Sequence, residues 1–495
     1  MYCSFAFLRD STHLYIRYPI QNSAISFPAP IRLSRYSIRC CHLHFSAKQS
    51  SIKCFMQTVQ AMSLTCLPTE LIESVVTHLD LSAFCSFRLV STSLEKQSLH
   101  VFRDRFFRRR LILWAKQDLE KLREISAHAA FGTALRHLSI NATPRYSISL
   151  WQLRKRISEA DAIFSEPNGV FFKSELQEQY IEIDKEAKEL STYFKETRYD
   201  QKCMQVVFDK VQNLESIEFG YEGMDKKYGK FARRYCESSQ YEMSRPFVST
   251  MAAIAASGLQ VKSISMHCRH HYGAISIGRL ESLAPSLGIF GAAFEKLETL
   301  HLSLRDWRIP EDGFELESNR APFVVRFLSK ARNVKHLSLD CYSVFDNDLL
   351  GEMARNCMFA KLITCQLAHF RLHKASDLLR LFESASSTIV ELSLSNIELR
   401  DNEVTWADLF SHVATSDEVL PGMKWMKFVK LFSNGGLEQR FHYGWRPYEL
   451  VVGTRTATSY WREELLAHID RFSSSMFGPA RHLAAVAYPF VGMGI

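Results

Sequence analysis

The sequence has no run of about eighteen or more apolar residues, which argues against a membrane-spanning helix. It also lacks any CxxC pair. Its 12 cysteines are scattered, and Cys40-Cys41 is the only adjacent pair. With no secretory signal in view, they read as reduced thiols of a cytoplasmic or nuclear protein, several of them packed as small hydrophobes. A Walker loop, a GxSxG elbow and an HExxH zinc motif are all missing, so no catalytic or cofactor-binding residue is nominated. His267-Cys268-Arg269-His270-His271 holds metal-capable side chains but has no second pair to converge with it. It reads as a polar loop, and no metal site is assigned.

Acid is nearly absent from the first sixty-two residues. Asp10 stands there against Arg9, Arg17, Arg32, Arg35, Arg39, Lys48 and Lys53, so this stretch carries +6 of the formal net charge of +8. The remainder is close to neutral, which gives no support for a broad nucleic-acid-binding surface. Residues 1–62 read as a disordered or non-native extension, with translation starting at Met56 or Met62 as one explanation and a targeting segment as another.

What is present begins at Leu64. Leu67-Pro68-Thr69-Glu70-Leu71 opens a helix, with Pro68 where a missing N–H costs nothing. Leu71, Ile72, Val75, Val76 and Leu79 follow at helical steps. Asp80 is a candidate N-cap for a second helix bearing Leu81, Phe84, Cys85, Arg88 and Leu89. Ser91 or Ser93 can cap a third, with Leu94, Val101, Phe102 and Phe106 on its face. Three helices in about forty residues enclose too little interior for so much apolar surface. Some of that surface must pack against something outside the segment: a partner protein is the economical answer, and a helical cap on the domain that follows is the alternative.

This pattern resembles an F-box over roughly residues 64–107, through Leu67-Pro-x-Glu-Leu-Ile-x-x-Val-x-x-x-Leu79, Asp80-Leu81 and Phe87-Arg88-Leu89-Val90-Ser91. Phe84-Cys85 stands where aliphatic residues are commoner, and Leu94 near the place of an expected aromatic. The resemblance implies binding to a Skp-type adaptor and through it to a cullin. It also implies that Leu67, Pro68, Leu71, Ile72, Val75, Leu79, Leu81, Leu89 and Val90 face that adaptor. The basic run Arg103, Arg105, Arg108, Arg109 and Arg110 reads as the solvated side of the third helix and its exit.

The body repeats a phrase in which apolar residues stand at positions one, four and six, from Leu135/Leu138/Ile140 to Met423/Met426/Phe428. The last two positions alternate as one face of a strand must. Successive centres from Ile264 to Met426 lie 36, 37, 28, 27 and 34 residues apart. Helical text at Phe247–Ser257, Pro322–Lys330 and Ala375–Ser384 precedes three of these strands. Units of one helix and one strand resemble leucine-rich repeats, stacked to share a core. An ordinary α/β domain is the competing reading.

The expected fold is therefore α/β: an N-terminal three-helix F-box at 63–110, then an irregular leucine-rich-repeat solenoid at 111–434 with parallel strands and outer helices. An insertion is expected at about 151–245, and an aromatic-rich cap and tail at 435–495. The expected function is the substrate-recognition subunit of an SCF ubiquitin ligase, non-catalytic and acting by proximity. The alternatives are a repeat scaffold without a ligase role, and a hydrolase for which no motif is found. A protein substrate of unknown identity would meet His301, Ser303, Arg305, His336, Ser338 and Asp340. Neither nucleic acid nor membrane is expected as a partner.

Overall fold

The computed structural model describes residues 64–474, apart from 145, 164–166, 222–236, 268–272, 306–321, 343–347, 434–436, 441–448, 455–459 and 470–472. The basic extension 1–62 and residues 268–271 of the His/Cys cluster lie outside the described residues. By contact the chain divides into two units, Met1–Cys66 and Leu67–Ile495. Of the first, only a single 3-10 turn, Leu64–Cys66, is described.

The second unit opens with three helices, α1 (Thr69–Val76), α2 (Leu81–Val90) and α3 (Thr92–Phe106). Two of the expected caps form. Asp80 Oδ1 accepts from the Ala83 N–H at 2.7 Å, and Ser91 Oγ accepts from the Leu94 N–H at 3.2 Å. Such caps satisfy N–H groups that a helix start leaves unpaired. Ile72, Val76, Phe84, Leu94 and Phe102 form a small buried core, against which Phe131 packs from beyond the three helices. Arg105 on α3 donates to the carbonyls of Val76 and Thr77, at 3.2 and 2.8 Å, and so ties down the end of α1.

The strands are β1 (Arg109–Leu113), β2 (His137–Asn141), β3 (Ser216–Gly220), β4 (Ser263–His267), β5 (Ile275–Ser276), β6 (Thr299–Arg305), β7 (His336–Tyr342), β8 (Thr364–Ala368), β9 (Arg371–Leu372), β10 (Glu391–Ser395), β11 (Glu398–Leu399), β12 (Trp425–Val429), β13 (Phe432–Ser433), β14 (Leu437–Arg440), β15 (Glu449–Gly453) and β16 (Ser473–Ser474). The main sheet runs β1-β2-β3-β4-β6-β7-β8-β10-β12-β15, with β5 beside β6. Every pairing along it is parallel until β15 joins β12 antiparallel. Sequential parallel order needs a crossover after each strand, and helices supply most of them. The first crossover, between β1 and β2, holds α4 (Lys116–Ala127) and the single turn α5 (Ala129–Gly132). The apolar pairs of the repeated phrase, such as Leu138/Ile140, Leu337/Leu339 and Leu392/Leu394, all face the buried side.

One detail recurs at the end of three strands. His369, Asn396 and Lys430 each adopt the left-handed conformation directly after β8, β10 and β12. The chain then turns into β9, β11 and β13, which form a second small sheet with β14 and β16. The sequence pattern does not reveal these two-residue strands, nor β15.

The stretch expected as an insertion contains most of α6 (Ser147–Ile163), α7 (Pro167–Thr197), α8 (Tyr199–Lys210), strand β3 and the start of α9 (Glu237–Ser257). Arg245 on α9 meets Asp200 on α8 at 2.7 Å, and Ser249 Oγ donates to the same carboxylate at 2.9 Å. Among the described residues no helix is long and apolar enough to cross a membrane. No group of three or more His, Cys, Asp or Glu among them could hold a metal ion.

Candidate functional site

Helix α1 carries two apolar stripes, each at a four-residue step. Ile72 and Val76 point into the small core, while Leu71 and Val75 point outward. Leu71 is 53% exposed and Ile72 is 1% exposed. Ile72 is therefore corrected from a surface position to a core position, because the interior needs one of the two stripes. Leu67 and Leu79 are half-buried against the same core. Pro68 and Leu81 are exposed.

At the end of α2, Leu89 is 87% exposed and Val90 is 73% exposed. The interior closes without either. Leu71, Val75, Leu81, Leu89 and Val90 thus leave five large apolar side chains in water on one short helical unit. Isolated exposed apolar residues are ordinary, but five between residues 71 and 90 are a concentration.

The second region is the open face of the main sheet. His301, His336, Ser338 and Asp340 are half-buried there. Asp340 meets His369 Nδ1 at 2.6 Å and accepts from the Tyr342 hydroxyl at 2.8 Å. Burial, and then nearby His267 and His336, hold the His301 imidazole below its ordinary value. Farther along, Gln366, Ser393, Ser395, Trp425, Lys427 and Val429 line a shallow groove.

Ser303 and Arg305 are buried, which corrects their assignment as surface contacts. Both lie at the end of β6, where β5 is laid alongside and pairs Ser276 with Arg305. The basic run also divides differently from its expected course. Helix α3 ends at Phe106, and Arg109 and Arg110 belong to strand β1.

The family model of the F-box domain matches residues 64–101. No curated protein matches the chain. An F-box domain implies a Skp-binding adaptor role in ligases of the SCF type.

Proposed function

We propose that this chain is the substrate-recognition subunit of an SCF-type ubiquitin ligase. The F-box, expected at 63–110 and with its third helix ending at Phe106, holds the Skp adaptor, and through it a cullin. Residues 111–434 form an irregular leucine-rich-repeat solenoid whose open face holds a protein substrate, and residues 435–495 form its cap and tail. The subunit is non-catalytic and speeds ubiquitin transfer by holding its target close to the charged conjugating enzyme. Its place is the cytoplasm or the nucleus.

The observation that carries this reading is the exposed apolar set Leu71, Val75, Leu81, Leu89 and Val90 on a helical trio whose core is filled by other side chains. The repeat reading is supported by the sequential parallel order and by the recurring left-handed residue after β8, β10 and β12. His301, His336, Ser338 and Asp340 are the proposed substrate contacts. The test is proximity labelling with the proteasome blocked, comparing the intact chain with Leu67→Ala/Pro68→Ala. Proteins that are ubiquitinated only with the intact chain support the reading. Identical ubiquitination with both contradicts it.

A further inference from the structure

Among the described residues the main sheet begins with an unpaired edge. Strand β1 pairs with β2 on one side, and among the described residues no strand lies on the other. Arg108 O accepts from the N–H groups of Arg136 and His137, and Trp114 N–H donates to Asn141 O. In a parallel ladder this alternation turns the backbone groups of Arg109, Leu111 and Leu113 away from β2. Those of Leu113 are used locally: its N–H donates to Asp118 Oδ2 at 3.1 Å and its carbonyl accepts from Ala115 N–H at 2.8 Å. Arg109 and Leu111 remain as an open edge one short strand long.

The side chains give this edge a character. Leu111 is 56% exposed and Leu113 is 52% exposed, both on the open face. Arg108 and Arg109 are exposed as well, and no carboxylate among the described residues forms an ion pair with either. The edge is therefore basic at its start and apolar at its end.

We propose that β1 accepts an extended acidic segment of another protein as an added strand. Backbone hydrogen bonds to Arg109 and Leu111 would supply affinity, as in strand addition generally. A carboxylate beside Arg109, two residues from an apolar side chain beside Leu111, would supply selectivity, because alternate residues share a face. Exposed charge on an edge deters indiscriminate pairing. Two copies joined edge to edge would leave both arginine clusters uncompensated, so charge favours the acidic segment over a second copy.

The test uses the full chain and a short fluorescent peptide with Glu and Val two residues apart in an extended, Thr-rich frame, read by anisotropy. Leu111→Pro removes an outward N–H without touching the β1–β2 ladder. Binding should weaken about tenfold or more in Leu111→Pro and in Arg108→Glu/Arg109→Glu. A backbone N-methylated copy of the peptide should also fail, and this arm decides the matter should Leu111→Pro not fold. Absence of binding to the wild-type chain overturns the proposal. So does equal binding of the methylated peptide, which would mean attraction by charge alone.

Discussion

Arg88 lays its guanidinium over the ring of Phe102, 4.1 Å from the ring centroid. It also meets Glu95 at 3.3 Å. These contacts clasp α2 to α3 immediately before Leu89 and Val90. Arg88→Ala is expected to cost about 1–2 kcal/mol of stability in the helical trio. Thermal denaturation checks this, and a variant as stable as the wild type would remove the clasp from the account.

A second prediction concerns Asp200. It is fully buried, with Arg245 and Ser249 as partners. Asp200→Ala leaves a buried guanidinium without its principal partner and should cost about 3–5 kcal/mol. Replacing both residues with Asp200→Leu/Arg245→Met should recover much of the loss. Urea denaturation of the single and double variants measures the difference.

The third is a pH dependence. The folded-state pKa of His301 lies below its ordinary 6.5. As pH falls through that ordinary value, the unfolded chain takes up a proton that the folded chain refuses. Stability therefore falls with falling pH. The loss levels off below the folded pKa. His301→Gln should flatten the profile of melting temperature against pH.

The fourth concerns thiols. Burial pushes Cys357 up to about 12 and raises Cys365 as well. Cys203 and Cys341 are also buried, whereas Cys66 is exposed. Among these five, alkylation of the native protein should modify Cys66 and spare the others until denaturant is added. Mass spectrometry of the labelled peptides reads this directly.

Much of this architecture is legible because helices and strands impose their periods on apolar residues. The strand pairs from Leu138/Ile140 to Met426/Phe428 follow from that alone, and the cap Asp80 from its side-chain oxygen, whereas only the structure chooses Ser91 over Ser93. Periodicity cannot choose between Leu71 and Ile72, since both stripes of α1 are apolar and only packing decides which turns inward. Nor does it mark β1, whose first two residues are Arg109 and Arg110 and whose edge position lets charge stay in water. Arg305 ends β6 beside β5, a two-residue strand that lies outside the repeated phrase, and that phrase does not mark Arg305 as buried.

The most direct measurement is adaptor binding by calorimetry with Leu89→Asp/Val90→Asp set beside Ile72→Ala. The outer pair should lose affinity by about a hundredfold or more while stability changes by under about 0.5 kcal/mol. Ile72→Ala should instead cost about 2–4 kcal/mol of stability. Undiminished adaptor binding by the folded outer variant would contradict the account.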